Sequence, residues 1–373
     1  MWIISIIFFL IWRTCLFLVA WFGEKLLTFN PRFPYTDVFL IPSGLPHWLW
    51  SFANFDGVHY LTIAKSGYAA QYTQVFFPLY PLLISVVHRI LPLVNPIVIG
   101  LFVSNSFFLL TIFILYKLFS LDYDRKTIKW IMLFLIFFPT SFFFGSIYTE
   151  SLFLFLTVCS FYAARKKRWW LAGICGGLAS ATRLTGIFLL PALLWEWHKN
   201  KIKNKILSSP ILYLVPLGLV SYMIYLQFKF GDWLYFWHAQ PVFGAERSGS
   251  GIILLPQVIW RYLKILFYVP LTSEMFWISF LEVLFTLFSI ILLVIAHLKK
   301  VRVSYLIFSW LAIIIPPLTG TFSSMPRYIL VAFPIFISLG LIHNKYYKII
   351  LLAVFCLLLS ALTILFTGGH WVS

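Results

Sequence analysis

Long apolar runs punctuated by short basic clusters constrain this chain more than any single motif does. Hydrophobic residues fill 62% of its 373 positions and charged residues only 10%, against roughly 25% charged in a soluble domain. Too little polar surface exists to cover a globule in water, so the runs must face lipid or one another. The chain is therefore expected to be an all-α polytopic membrane protein. Its formal charge of +17 does not point to nucleic acid, because that footprint is a continuous basic stripe on a folded domain. Here the basic residues fall between apolar segments, a pattern that sets membrane topology.

The four cysteines, Cys15, Cys159, Cys175 and Cys356, lie inside apolar runs without CxxC spacing. Neither a zinc motif nor a disulfide framework is expected from them. Residues 1–22 form the first run and lead into Gly23-Glu24-Lys25 and not into a small-residue cleavage site, so this run is expected to stay as a span.

A spanning helix takes about 20 apolar residues. Basic clusters at Arg125/Lys126/Lys129, 165–168, 199–205, 299–302 and Lys345/Lys348 can all be cytoplasmic under one topology. Residues 130–164 then form a tight hairpin turning at 146–151, and 169–197 a second one turning near Arg183. The second has arms of only about 14 residues, below the usual minimum, which predicts tilted or half-embedded helices. Spans over 211–230, 275–297, 303–319, 328–343 and 346–366 complete about 11 crossings in a single membrane domain covering 1–373, with the C-terminus outside. Residues 76–93, carrying His88, Arg89 and three prolines, predict a helix on or dipping into the outer leaflet, with the second crossing at 97–118.

Under this topology Asp37, Asp56, His59, Lys65, Glu150, Arg183, Asp232, Glu246, Arg247 and Arg327 gather at or beyond the outer boundary. Chemistry or binding is expected there. The first outer loop, within 23–96, is far longer than a connector of about 12–15 residues. With Trp48, Trp50, Phe52, Phe55 and Tyr60 it is too aromatic for disorder. It is expected to pack on the bilayer as interfacial helices and to carry the catalytic residue. The loop at 231–273 is the expected acceptor side.

Asp56 is the candidate general base, since a water-poor interface raises the basicity of a carboxylate; the alternative is an N-cap for the helix that follows. His59 is either a packing residue or part of the site. Glu150, at the tip of the first hairpin, is a solvated turn residue or a carboxylate that needs a partner. Arg183 can supply that partner, bracing the site or touching substrate. Arg327 either snorkels to headgroups or clamps a lipid phosphate with its planar fork. Arg13, midway along the first run, reads as structural or snorkelling toward the inner face. No Walker loop, HExxH or GxSxG motif is present.

Several blocks together resemble the PIG-V type of GPI mannosyltransferase, within the GT-C superfamily of membrane glycosyltransferases. They are FDGVHYLTIAKSGY (55–68), FFPLYPLL (76–83), FFPTSFFFGSIYTESLF (137–153), RWWLAGICGGLASATRLTG (168–186) and MPRYILVAFP (325–334), in the family's order. Phe55 stands where that family usually has Trp, and the short outer loops look prokaryotic, which suggests a bacterial cytoplasmic membrane, or the ER membrane if the source is eukaryotic.

The resemblance implies a GT-C-like bundle, a polyprenyl-phosphate-sugar donor, most simply a polyprenyl-phosphomannose, and a lipid-linked or glycan acceptor at the outer or luminal face. It places the catalytic acid at Asp56. His59, Lys65, Tyr80, Glu150, Arg183 and Arg327 are the expected substrate-binding residues. A monophosphate donor has no pyrophosphate to bridge, so neither metal nor cofactor is expected, and neither is a nucleic-acid partner. In-line displacement implies inversion at the sugar carbon. The acceptor stays open among an inositol phospholipid glycan, a cell-wall precursor and a protein, as does a partner subunit. The rival readings are a lipid-linked-sugar transporter or flippase, a non-catalytic subunit of the same fold, and an intramembrane hydrolase.

Overall fold

The computed structural model describes residues 2–31, 33, 35–199 and 210–372, and all regular secondary structure among them is helical. Five helices are long and apolar enough to cross a bilayer: α1 (Trp2–Leu26), α4 (Pro96–Phe119), α9 (Leu217–Phe230, whose apolar stretch begins at Leu212), α11 (Glu274–Leu298) and α14 (Lys345–Thr367). Between them lie α2 (Asp56–Ser66), α3 (Leu79–Ile90), α5 (Arg125–Ile136), α6 (Glu150–Arg165), α7 (Trp169–Ser180), α8 (Leu189–Lys199), α10 (Leu255–Tyr268), α12 (Val303–Ile314) and α13 (Pro334–Gly340).

Helices form because lipid offers no partner to a free backbone amide, and several start at legible caps. Asn95 accepts from the Ile97 amide with Pro96 behind it, Asp124 from Lys126, Ser273 from Met275 and Asn344 from Tyr346. α6 packs between α4 and α7, α1 lies along α14, and α13 sits between α5 and α11.

The tight hairpin expected over 130–164 is not formed: α5 and α6 are separated by the buried 137–149 stretch, and α5 packs on α13 while α6 packs on α4 and α7. The stretch over 169–197 does divide into two short helices, α7 and α8, as its length implied. At 12 residues α3 reaches about 18 Å, short of a hydrocarbon core of about 30 Å. Two stretches depart from continuous helix. After α5 the chain runs irregularly through Pro139 to Thr149, and after α12 it breaks at Pro316-Pro317 and regains only short turns, Met325–Tyr328 and Ile329–Val331, before α13. The span expected over 328–343 is therefore interrupted by Pro334, with only seven residues of regular α-helix in α13. Residues 138–149 and 320–327 are buried throughout, the condition under which irregular backbone is tolerated at membrane depth.

Charges sort to the two ends. At one end Arg165 bonds Asp122 (2.5 Å) and Tyr305 Oη (2.9 Å), Arg302 bonds Glu196, and Lys348 lies over Trp130. These contacts join basic clusters from four separate stretches; the 199–205 cluster lies outside the described residues beyond Lys199. The loops that carry Asp56, Glu150, Arg183, Arg247 and Arg327 meet at the other end.

The first loop corrects the expectation of a purely surface element. Trp50, Phe52 and Ala53 are buried, Phe52 O accepts from the Ile147 amide (2.9 Å), and Asn54 Nδ2 donates to Phe366 O (2.9 Å). Arg13 does not snorkel either. Its guanidinium is buried between the Phe17 and Phe52 rings, 4.0 and 4.4 Å from their centroids, with no hydrogen-bond partner among the described residues.

Candidate functional site

Segments distant in sequence close around one cavity of about 310 Å³. Asp56 enters from the first turn of α2. The preceding Phe55 takes φ 58° and ψ −114°, a conformation few non-glycine residues adopt, and this kink turns the chain sharply into the helix. The Asp56 side chain is not an N-cap; its carboxylate faces the cavity and accepts a 2.5 Å hydrogen bond from Arg327 Nη1. Arg327 sits in the short turn after Ser324, itself at φ 69°. Strained backbone thus precedes both partners of the central ion pair.

Glu150 starts α6 at the end of the irregular 137–149 stretch and is 1% exposed, so it is no solvated turn residue. Arg183 Nη1 donates to its Oε1 at 2.7 Å, and Arg327 Nε stands 3.2 Å from the same oxygen, off the hydrogen-bond line. Glu150 lies behind the cavity wall, whereas Arg183 and Arg327 line it. The expected Glu150–Arg183 pair is formed, and Glu150 holds two of the arginines that line the cavity. Tyr328 stacks between them, with guanidinium carbons 4.8 Å (Arg183) and 5.5 Å (Arg327) from its ring centre.

A third cation, Arg247, was not singled out among the candidate site residues. Its loop is zipped to the 318–324 stretch by Ser248 N to Thr319 O (2.7 Å) and Ile253 N to Leu318 O (2.9 Å). Its Nη2 makes only long contacts, 3.4 Å to Ser323 Oγ and 3.3 Å to Ser324 Oγ, and it forms no ion pair among the described residues. Asp56 and Glu150 offset Arg183 and Arg327 in charge, so Arg247 leaves the site cationic.

His59 lines the cavity one turn beyond Asp56, stacked on Phe76 (4.9 Å) with Phe243 edge-on (5.6 Å). Burial lowers its pKa below the ordinary imidazole value, with the Asp56 charge opposing. A neutral imidazole in an aromatic cage is a poor phosphate cation and a suitable packing or hydrogen-bonding partner for substrate. Two expected substrate residues lie elsewhere. Tyr80 is fully buried behind Tyr60, 2.6 Å from Ser104 Oγ and donating to Gly100 O (3.3 Å), and does not reach the cavity. Lys65 is exposed on the far side of α2 and lines a second cavity.

The rest of the wall mixes aromatic rings, among them Phe33, Phe55, Trp237 and Trp371, with polar residues such as Thr182, Thr185, Gln240 and Thr319. Such a cavity can hold an anion against guanidinium groups and pack a ring-shaped group nearby, with a carboxylate between the two. No group of three or more His, Cys, Asp or Glu positioned for a metal occurs among the described residues.

Among known proteins, mouse GPI alpha-1,6-mannosyltransferase 2 is 28% identical over 214 residues, 50% of this chain and 41% of that protein. GPI mannosyltransferase 2 of Drosophila pseudoobscura pseudoobscura is 31% identical over 137 residues, 34% of this chain and 29% of that one. This chain thus matches less than half the length of either relative. The crystal structure of the Archaeoglobus fulgidus oligosaccharyltransferase tethered with an acceptor peptide superposes with TM-score 0.40 and 14% identity, over 96% of this chain and 55% of that one. A likeness that loose carries no weight for the site. The family described as Mannosyltransferase (PIG-V) matches residues 3–194. With just over half of its residues in that match, this chain belongs to the mannosyltransferase (PIG-V) family.

Proposed function

We propose that this protein transfers mannose from a polyprenyl-phosphate donor to an acceptor hydroxyl at the outer or luminal membrane face, with inversion and with Asp56 as general base. The observation that carries the reading is the Asp56 carboxylate on the floor of a cavity, 2.5 Å from Arg327 and beside two further arginines.

The acceptor oxygen attacks the anomeric carbon and its proton passes to Asp56. The bond from that carbon to the phosphate oxygen breaks, and the lipid phosphate leaves with its electron pair. Growing negative charge on the phosphate calls for preorganised cations, and Arg247, Arg183 and Arg327 supply them. Arg327 is engaged by Asp56. Donor phosphate competes for that guanidinium and frees the carboxylate, while Glu150 keeps Arg183 and Arg327 from drifting. Arg327 thus couples donor arrival to release of the base.

The flippase reading called for internal repeats and helices broken near mid-membrane. The broken stretches are present, but they bring an acid and cations to one end of the bundle rather than to a central pathway. Transfer of radiolabel from polyprenyl-phosphomannose by the membrane-reconstituted protein tests the proposal. Asp56→Asn is expected to lower turnover by about 10²-fold or more while binding donor as tightly as the parent or more so, because an anion that competes for Arg327 has gone. Undiminished transfer by the variant removes Asp56 as the base; no turnover by the parent favours the transporter or non-catalytic subunit.

A further inference from the structure

The second cavity, about 260 Å³, lies on the opposite side of α2 from Asp56. Lys65 stands nine residues after Asp56, and at about 100° per residue that offset turns the two side chains to opposite faces. The cavity is walled by α2, α3, the turn at 38–43 and the start of α4. Asn95 closes its base, giving Nδ2 to Ser43 O (3.1 Å) and taking the Ile97 amide (2.9 Å).

Two groups in this wall lack a polar partner among the described residues. Lys65 has no ion pair among the described residues; its ammonium lies 5.7 Å from the Phe39 ring centre. His88 lines the same space, and its Nδ1 is buried without a hydrogen-bond partner. No carboxylate lines the cavity. Ile84, Ser85 and His88 turn toward the cavity, whereas Leu82, Val86 and Ile90, four residues apart and all exposed, lie about 150° around α3; Val38 and Ile41 are exposed at the cavity rim. A helix too short to span, with an apolar stripe outward and Arg89 in its last turn, is the pattern of an element lying at the lipid interface.

We propose that this cavity is a second, non-catalytic lipid site that seats the phosphodiester of an anionic phospholipid between Lys65 and His88, its acyl chains leaving over the exposed Val38 and Ile41 at the rim. The volume suits a headgroup and not the tails. Absence of an acid in the wall favours a net-anionic headgroup over a zwitterionic one, whose ammonium would meet Lys65 with nothing to offset it. This site is independent of the mannosyl-transfer reading. Because α2 is the wall common to both cavities, a lipid held here also fixes the helix that carries Asp56.

The test uses the full chain reconstituted with equimolar palmitoyl-oleoyl phosphatidylglycerol and phosphatidylcholine, extracted into dodecyl maltoside and weighed intact by native mass spectrometry. One phosphatidylglycerol is expected to stay bound in preference to phosphatidylcholine. Lys65→Glu, on an exposed position that leaves packing alone, is expected to reduce its retention by about fivefold or more, and His88→Leu to weaken it while the apolar wall stays filled. Equal retention of both lipids, or retention unchanged in both variants, overturns the proposal. Displacement of the lipid by millimolar inorganic phosphate identifies a soluble anion as the ligand and overturns it too.

Discussion

Arg327 serves two carboxylates at once, Asp56 at 2.5 Å and Glu150 at 3.2 Å, and this fixes the electrostatics of the site. The pairs differ in solvent access: the Asp56 side chain is 17% exposed and the Glu150 side chain 1%. Arg247 is the cation left over, so it is where a phosphate gains most. Replacing it with Ala is expected to raise the donor KM by about tenfold or more, the size of one lost charge-assisted hydrogen bond, with a smaller effect on kcat; initial rates across donor concentrations check this. His59 gives a pH signature. Its folded pKa is depressed by burial, so its contribution to stability is complete at neutral pH and is lost as pH falls from about 6.5 through the folded value. Thermal unfolding between pH 8 and 5 is expected to show that loss, and His59→Gln to flatten it. Asp56, Glu150, Arg183 and Arg327 were legible in sequence because a charge in so apolar a chain needs a reason to be there. Lys65 was misplaced for a physical reason: proximity to Asp56 along the chain outweighed the helical angle between them. Arg247 was missed because backbone pairing between loops leaves no periodic mark.

The elements that carry the site are those that fail to be long helices. Glu150 follows the irregular 137–149 stretch, Arg327 the break at Pro316-Pro317, and Arg183 the end of the 12-residue α7. Hydropathy could not reveal the interruption at 137–149, because Phe and Ile are as dense there as in the helices, and proline is tolerated in membrane helices. The long spans were legible because their runs end at caps such as Asn95-Pro96 and Ser273. Placement of Arg183 depends on a close crossing of α7 and α9. A Cβ on Gly218 would overlap Gly177 O and come within 2.5 Å of Ser180 Oγ, which itself donates to Val215 O at 2.6 Å. Gly218→Ala is therefore expected to push α9 outward, destabilise the protein by about 1–3 kcal/mol, and reduce transfer through the displaced Arg183. A thermal melt together with a transfer assay checks both effects; a parent-like melt would show that the crossing is looser than its geometry implies.

At the scale of the whole molecule, the two ends of the bundle differ in kind. One collects basic clusters paired through Arg165–Asp122 and Arg302–Glu196, and the other collects the cavity with its arginines and aromatic rings. Positive residues in short loops are retained on the cytoplasmic side, so the polarity of the bundle predicts that the cavity opens on the opposite side. Single cysteines can test this in a chain whose four native cysteines, all free, are first replaced by Ser or Ala. Ser250 lies exposed in the loop that carries Arg247, and Lys167 lies exposed in the basic turn between α6 and α7. In intact cells or sealed right-side-out vesicles, a membrane-impermeant maleimide is expected to label Ser250→Cys readily and Lys167→Cys only after permeabilisation. The reverse pattern would put Asp56 and its arginines in the cytosol. Labelling of both from one side would show that the basic and site-bearing ends do not lie across a membrane from each other.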